Sequence, residues 1–315
     1  MDELQRFLFQ GLAVRGQLVR LNESWREMLA RRGSAPHAAP VRDLLGQMAA
    51  AGVLLQSSIE FDGTLLLQVY GDGPVKLAVA EVHDDLRFRA TATVLGEVAA
   101  GAGLQSLLNL HGQGRCSITL DPSGRRAGQQ PYQGVVPLGG DGPEPPQQLA
   151  QVLEHYMLKS QQIETRLLLA ADQDTAAGLM IQRMPAAGPS RVSGEGHDIG
   201  HDDGFNRITH LMATLTRDEL LRLDAATLLH RLFWQERLLR HEPRRPRFAC
   251  SCARERVRNM LRGLGPDEVR GIIAERGEVE VGCEFCGQQY RFDAVDVGEL
   301  FTPPRDQPHT PASLQ

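Results

Sequence analysis

The sequence Cys250-Ser251-Cys252 is followed, after residues 253–282, by Cys283-Glu284-Phe285-Cys286-Gly287, and these two cysteine pairs decide how the C-terminal part folds. Zinc prefers four ligands in a tetrahedron, and a short-spaced cysteine pair supplies two neighbouring corners. The second pair fits a zinc knuckle, because a glycine after the second ligand relieves backbone strain. The one-residue gap of the first pair is tighter than usual. We expect one Zn²⁺ bound by Cys250, Cys252, Cys283 and Cys286.

The composition places the chain among globular proteins. Of its 315 residues, 42 % are hydrophobic and 23 % are charged, which is not the balance of a disordered or membrane protein. Charged residues interrupt the first 20 positions, and no apolar run reaches the roughly 18 residues of a membrane span, so neither a signal peptide nor a membrane helix is predicted. We therefore expect a cytoplasmic protein, whose reduced thiols favour metal over structural disulfides. The formal net charge of -5 argues against attraction of the whole protein to nucleic acid.

Helix and strand patterns alternate along residues 1–184, and this alternation predicts a large mixed α/β domain. Apolar residues recur at helical spacing from Val41 to Ala49 and from Leu149 to Met157. Short apolar runs bounded by turn residues predict strands at Ala13–Leu21, Leu65–Val69, Val75–Val82, Leu86–Val94, Ser117–Leu120, Thr165–Ala170 and Gly178–Met184.

Residues 185–241 are expected to form a flexible connector and a helical linker. The stretch from Pro185 to Gly204 is rich in Gly, Ser, Pro and Asp and has no periodicity. From Ile208 to Phe233 the apolar stripes are interrupted near Thr216 and Asp224, which predicts two or three short helices. Because short helices are marginal alone, this segment is expected to dock on another surface.

Residues 242–315 are expected to form a small zinc-binding domain with a frayed, proline-rich tail from Pro303 onward. Two short helical patterns lie between the cysteine pairs: Val257, Leu261 and Leu264, then Val269, Ile272 and Ile273. The predicted fold class is thus α+β, with a large N-terminal mixed domain, a helical linker and a small C-terminal zinc-binding domain.

The surroundings of the first cysteine pair leave several functions open. Seven arginines face two glutamates there, a local charge of +5 (seven minus two). Nearby cations stabilise thiolates, but a solvated basic face or a nucleic-acid patch explains the arginines equally well. A static zinc ribbon, a nucleic-acid-binding zinc module and a thiol-disulfide oxidoreductase using Cys283 and Cys286 remain alternatives. Against the oxidoreductase, no thioredoxin-like βαβ pattern surrounds that pair.

Two further features, the stretch from His197 to Asp203 and Cys116, are given no functional role, and one common motif is absent from the sequence. The stretch His197-Asp198-Ile199-Gly200-His201-Asp202-Asp203 is predicted to be a polar loop rather than a second metal site. Cys116 precedes a predicted strand and is expected to be an ordinary core residue. The sequence contains no Gly-x-x-x-x-Gly-Lys-Ser/Thr loop, so we expect an activity that needs no ATP.

Several longer stretches occur in a familiar order along nearly the whole chain. They are Ser117-Ile118-Thr119-Leu120-Asp121, Tyr132-Gln133-Gly134-Val135-Val136-Pro137-Leu138, Thr165-Arg166-Leu167, Leu228-Leu229-His230-Arg231-Leu232-Phe233, Phe248-Ala249-Cys250-Ser251-Cys252-Ala253-Arg254-Glu255-Arg256-Val257, and Cys283-Glu284-Phe285-Cys286 followed by Tyr290 and Phe292. Together they resemble the redox-regulated heat-shock holdases of the 33 kDa chaperonin family. The chain departs from that family at Gln161 and Glu164, where members usually have Glu and Pro, and at Ala253, where Ser is usual.

The resemblance implies a chaperone rather than an enzyme, inactive while reduced and zinc-bound and active once oxidised. It implies that Cys283 and Cys286 react first and that Cys250 and Cys252 form the second disulfide as zinc leaves. It also implies partners: unfolding, aggregation-prone client proteins, which the domain of residues 1–184 would bind, and a second copy of the chain when oxidised. Because zinc supplies roughly 10 to 16 kcal/mol of folding free energy to a small module, its loss should unfold that module and expose the linker leucines.

Overall fold

The computed structural model describes residues 1–33, 36–59, 61–124, 130–142, 144–184 and 199–302, with only the backbone described for 199–202. The chain divides into two compact units. The large unit comprises Met1–Ala30 and Ser34–Ala249, and the small unit comprises Arg31–Gly33 and Cys250–Gln315.

A five-stranded antiparallel sheet forms one layer of the large unit. Its strands are β1 (Glu3–Phe9), β2 (Val14–Leu21), β8 (Thr165–Ala171), β9 (Ala176–Arg183) and β10 (Leu238–Arg240), in the order β10-β1-β2-β9-β8. Strand β9 is buried at every residue except the last. Such a strand reads as a continuous apolar run because helices cover both faces of the sheet.

A six-stranded sheet forms the second layer. Its strands are β3 (Gly63–Tyr70), β4 (Val75–His83), β5 (Arg87–Val94), β6 (Arg115–Pro122), β7 (Tyr132–Pro137) and β11 (Arg247–Phe248), in the order β11-β5-β4-β3-β6-β7. All neighbouring strands are antiparallel except β11 with β5. From Gly63 to Val69, strand β3 alternates buried and half-buried residues, as expected when one face of a sheet packs against a core.

Helix α2 (Ala39–Ser58) is the central core element and contacts strands of both sheets. Two glycines permit the close approach. A Cβ at Gly46 would lie 2.4 Å from the Cβ of Ala171, and one at Gly52 would lie 2.8 Å from a Cγ atom of Val82. The remaining helices of the large unit's first part are α1 (Glu23–Arg31), α3 (Leu104–Leu108) and α4 (Leu149–Gln161).

Three linker helices cover the other face of the five-stranded sheet. They are α5 (Ile199–Ala213), α6 (Arg217–Arg222) and α7 (Ala225–Phe233). The breaks between them are helix caps: the Thr216 hydroxyl accepts from the N–H of Glu219, and the Asp224 carboxylate accepts from the N–H of Thr227. These positions coincide with the interruptions that the sequence predicts.

The linker helices and the sheet share one apolar core. The rings of Phe9 and Phe233 meet edge to face at 5.0 Å, and the ring of Phe7 lies 6.2 Å from that of Phe233. The guanidinium of Arg20 donates to the carbonyl oxygens of Leu220 and Leu221 at 2.8 and 2.9 Å, which satisfies acceptors at the end of α6. The buried members of the core include Leu18, Leu179, Ile181, Phe205, Ile208, Met212, Leu228, Leu229 and Leu232.

After α7 the chain runs back across both sheets of the large unit. Strand β10 pairs with β1, Arg244 bridges to Leu4, and β11 pairs with β5. The Arg247 guanidinium donates to the Asp85 carboxylate at 3.1 Å. We call residues 234–249 the strap, and its strands contain only three and two residues.

The small unit combines three helices with a β-hairpin. Its elements are α8 (Arg254–Leu264), α9 (Pro266–Arg276), β12 (Val279–Gly282), β13 (Gln289–Phe292) and α10 (Ala294–Phe301). The core of this unit consists of Val257, Leu261, Val269, Val279, Phe292, Val297 and Leu300.

The predicted α+β class is confirmed, and the seven predicted strands match observed ones to within two residues at each end. Helix α2 continues nine residues past the predicted end at Ala49, because its second half is apolar all round and so loses helical periodicity. The sequence does not predict β1, the exposed edge strand β7 or the short strands β10 to β13. Of the predicted connector, residues 185–198 lie outside the described residues, and Ile199–Gly204 is helical rather than loop.

Candidate metal centre

The structure brings the four predicted cysteines of the small unit together. Their sulfur atoms all lie within 4.8 Å of one another. The Sγ atoms of Cys250 and Cys283 are 3.6 Å apart, and those of Cys252 and Cys286 are 3.3 Å apart. A tetrahedron with Zn–S bonds of about 2.3 Å has sulfurs about 3.8 Å apart. The four sulfurs therefore fit one zinc ion, and the assignment of these residues as zinc ligands remains a prediction.

The second pair is positioned by the hairpin between β12 and β13. The N–H of Cys283 donates to the carbonyl oxygen of Gln288 at 2.9 Å, and the N–H of Gly287 donates to the carbonyl oxygen of Cys283 at 2.8 Å. Gly287 has φ +71°, a conformation that disfavours side chains. A thioredoxin-like pair lies at a helix start, whereas Cys283 and Cys286 lie in a hairpin turn.

The first pair directly precedes α8, and Arg254 holds the start of that helix. Its guanidinium lies 4.2 Å from the ring centroid of Phe292, donates to the Asp296 carboxylate at 2.8 Å, and donates to the carbonyl oxygen of Arg291 at 2.8 Å. These contacts tie the chain beside Cys252 to β13 and α10. The sequence indicates only a basic patch here, because the partners of Arg254 lie some forty residues away.

Other arginines of the patch also have partners within the small unit. Arg258 and Arg262 form ion pairs with Glu255 at 3.6 and 3.3 Å, and Arg256 donates to the Ser251 hydroxyl at 2.8 Å. A surface made of paired arginines attracts phosphates less than the count of seven suggests.

The electrostatics of the cluster favour a bound cation. Burial disfavours the Cys250 thiolate, but hydrogen bonds from the Cys252 N–H and from neighbouring thiols outweigh it and lower the pKa of Cys250 to about 7. Burial and the hydrogen bonds to the other sulfurs raise the pKa of Cys286. Hydrogen bonding to Cys252 raises the pKa of Tyr290 to about 12. Four thiolates this close need a compensating positive charge, which a divalent ion supplies.

Cys116 is separate from this cluster and lies in β6 of the large unit. It is fully buried, and burial raises its pKa to about 12, so it stays a thiol. This agrees with its prediction as a core residue.

Within the described ranges, no second group of three or more His, Cys, Asp and Glu side chains converges on one point. His197 and Asp198 of the predicted polar loop lie outside those ranges, while His201, Asp202 and Asp203 belong to α5. No helix in the described part of the chain has both the length and the apolar character that crossing a membrane requires.

Comparison with known proteins extends these observations. The family model described as Hsp33 protein matches residues 2–293. The chain is similar to the 33 kDa chaperonin of Chromobacterium violaceum, with 43 % identity over 300 residues that cover 95 % of this chain and 94 % of the relative. It is also similar to the 33 kDa chaperonin of Methylobacillus flagellatus, with 41 % identity over 306 residues that cover 96 % and 94 %.

A solved structure shares the fold. The crystal structure of the 33 kDa chaperonin (heat shock protein 33 homolog) from Thermotoga maritima matches with a TM-score of 0.74 and 20 % identity, covering 95 % of this chain and 98 % of the other. At that identity the match supports the architecture alone.

Proposed function

This chain belongs to the Hsp33 family of heat-shock chaperones, and we propose that it is a redox-regulated holdase that works without ATP. In its reduced state Cys250, Cys252, Cys283 and Cys286 hold one zinc ion, and the protein does not bind clients. Oxidation of the four thiols releases the ion, unfolds the small unit and frees the linker helices. The observation that carries the proposal is the large apolar surface that the linker and the sheet bury against each other.

The redox step converts four thiols into two disulfides. In each pair, one S–S bond forms as two zinc-bound thiolates lose two electrons, and a peroxide takes up these electrons with two protons from solvent and becomes two molecules of water. We propose that Cys283 reacts with Cys286 first and Cys250 with Cys252 second. Each disulfide then closes a very short loop and does not connect the two halves of the small unit.

Zinc would supply most of the stability of the small unit. Its core is small, and a structural zinc ion contributes roughly 10 to 16 kcal/mol to the folding of such modules. Once both ligand pairs are oxidised, the cluster offers no thiolates to the ion. We therefore expect the small unit to unfold on oxidation.

The strap gives unfolding a route to the linker, because residues 234–249 connect the end of α7 directly to Cys250. It is held by strands of three and two residues, by the bridge between Leu4 and Arg244, and by an exposed ion pair between Arg247 and Asp85, which contributes little stability. Helices α6 and α7 contain six and nine residues and are marginal without the sheet. Their release would expose Phe7, Phe9 and Phe233, which suits capture of unfolding clients.

The remaining parts of the proposal concern partners and location. Unfolding or aggregation-prone proteins are the clients, a homodimer forms on oxidation, and the protein works in the cytoplasm. Nucleic acid is not a partner under this proposal, and no catalytic role is assigned to the cysteines.

The decisive experiment measures zinc content and free thiols before and after peroxide under mild unfolding stress, beside light scattering from thermally unfolding citrate synthase. Loss of one zinc and four thiols together with gained suppression of aggregation is expected. Disulfide mapping by mass spectrometry adds a sharper test. The observed proximity of Cys250 to Cys283 permits crosswise pairing, which would keep the halves joined and contradict the proposed switch.

The two alternatives predict different results in the same preparations. Turnover of a disulfide substrate by the reduced protein would support an oxidoreductase. Salt-dependent binding of RNA or DNA would support a nucleic-acid module. Zinc retained after oxidation would leave a structural zinc domain with another binding role.

A further inference from the structure

Strand β8 forms one edge of the five-stranded sheet, and the alternation of its hydrogen bonds shows which backbone groups face away from β9. The N–H of Arg183 donates to the carbonyl oxygen of Glu164, and the N–H of Asp172 donates to that of Thr175. The residues of β8 whose backbone groups are hydrogen-bonded to β9 are therefore the even-numbered ones, such as Leu168, which pairs with Leu179. The odd residues of β8 direct their N–H and C=O groups to the open edge.

Three of these open-edge groups are satisfied by side chains, and the first is the carbonyl oxygen of Thr165, which accepts from the Arg166 guanidinium at 3.3 Å. The N–H of Leu167 donates to the Glu154 carboxylate at 2.7 Å, and the carbonyl oxygen of Ala171 accepts from the Arg217 guanidinium. The Glu154 carboxylate and the Arg217 guanidinium thus take the places of the C=O and N–H groups that a neighbouring strand would provide. Between them, the N–H of Leu169 has no hydrogen-bond partner among the described residues.

The open edge of β8 lies along a groove. A cavity of about 330 Å³ is lined by Glu154 of α4 and Met212 of α5, and a second cavity of about 330 Å³ is lined by Gln148 and Leu215. Both cavities include Leu168 of β8 in their lining, so they adjoin along the strand. The groove is open to solvent and has helical elements on both sides of an unpaired backbone edge.

We propose that the open edge of β8 binds an extended, uncharged segment of an unfolding polypeptide as a sixth strand of the sheet. The proposal deepens the holdase function and rests on it: it names the client chemistry as main-chain hydrogen bonding in addition to apolar contact. Backbone recognition is independent of sequence, which suits a chaperone with many clients. A second copy of the chain fits less well, because α4 and its Glu154 side chain stay beside the β8 edge of each copy after the linker is released.

The two capping side chains connect this site to the switch. Glu154 belongs to α4, which the linker's release would leave in place, whereas Arg217 is the first residue of α6. Release of the linker would remove the guanidinium from the Ala171 carbonyl and the α5 wall from the groove. The edge therefore becomes available in the same state that exposes the apolar face.

Residue-resolved hydrogen exchange tests the site directly. The probe is a fluorescein-labelled nonapeptide of alternating valine and threonine, added to the oxidised full-length protein. We expect slower exchange at the N–H group of Leu169, which faces the groove, and little change at Leu168 and Ala170, which already bond to β9. Equal exchange at Leu169 with and without bound peptide would overturn the proposal.

A matched pair of variants gives an affinity test. Leu169→Pro removes the groove-facing N–H without removing a bond to β9, a position where an edge strand tolerates proline. Leu169→Ala shortens the same side chain and keeps the N–H. We expect the proline variant to bind the peptide at least about fivefold more weakly than the alanine variant, because the peptide carbonyl is left unpaired. Equal affinities would overturn the proposal.

The outcomes separate this site from the holdase function itself. Suppression of citrate synthase aggregation without protection at Leu169 keeps the function and removes the β8 site. Protection by the peptide without suppression keeps the site and removes the function. Protection that depends on protein concentration without any peptide would assign the edge to a second copy and overturn the proposal.

Discussion

Replacement of Phe233 by alanine should activate the protein without oxidation. Phe233 is buried in α7, its ring lies 5.0 Å from that of Phe9 and 6.2 Å from that of Phe7, and it has no polar role. A buried Phe→Ala change costs about 3 to 5 kcal/mol. The cost falls on the docked state of the linker, so the ratio of released to docked linker should rise roughly 10²- to 10⁴-fold.

The assay compares reduced, zinc-loaded Phe233→Ala with Trp234→Ala, which changes the adjacent aromatic residue at a position 67 % exposed. We expect faster hydrogen exchange across α5 to α7, suppression of citrate synthase aggregation without peroxide, and unchanged zinc content in the Phe233 variant alone. Faster exchange without any suppression would refute the idea that release of the linker creates the client site. Suppression of aggregation by the reduced Trp234→Ala variant would show that the effect does not depend on the loss of a buried side chain.

Three further outcomes follow from particular side chains. Cys283→Ser should reduce bound zinc from one ion toward none and abolish cooperative melting of the small unit, as read by metal analysis and circular dichroism, whereas Ser251→Ala should retain the ion. Asp224 and Glu219 cap linker helices, and the hydrogen bonds they accept hold the pKa of each carboxyl below its ordinary value. A pKa that is lower in the folded than in the unfolded chain stabilises the linker at neutral pH, and this stabilisation is lost as the pH falls through the folded pKa. Linker amides should therefore be less protected at pH 3 than at pH 6, and Asp224→Asn with Glu219→Gln should flatten that difference; equal pH dependence in the variant would contradict it. Cys116 should remain a free thiol after peroxide, and Cys116→Ala should activate normally; a modified Cys116 in peptide mapping would contradict its burial.

The parts of the fold that were predictable are those whose signal is local. The strand at Val75–Val82 and the breaks at Thr216 and Asp224 depend on alternation, turn residues and helix caps, which act over a few residues. The sequence does not indicate the end of α2, because Ala50–Leu55 is buried all round and shows no periodicity. Strand β7 has no clear signal in the sequence, because an edge strand with exposed residues has little apolar pattern.

The candidate site divides in the same way. Spacing alone indicates that Cys250, Cys252, Cys283 and Cys286 suit one zinc ion, because two short-spaced cysteine pairs are typical of a tetrahedral zinc site. The contribution of Arg254 could not be predicted, because its partners Phe292 and Asp296 are distant in sequence. The sequence shows that the arginine patch is positively charged, but it does not show which side chains pair with these arginines.

By itself the sequence determined the α+β class, the thiol cluster and the need of the linker helices for a partner surface. Only the tertiary structure decided that this surface is the face of the sheet carrying Phe7 and Phe9, and that the Glu154 and Arg217 side chains cap the open edge of β8. The physical reason is the distance along the chain over which the interactions act. Periodicity, caps and ligand spacing depend on neighbours along the chain, whereas docking and edge capping depend on groups that meet only when the whole sheet has formed.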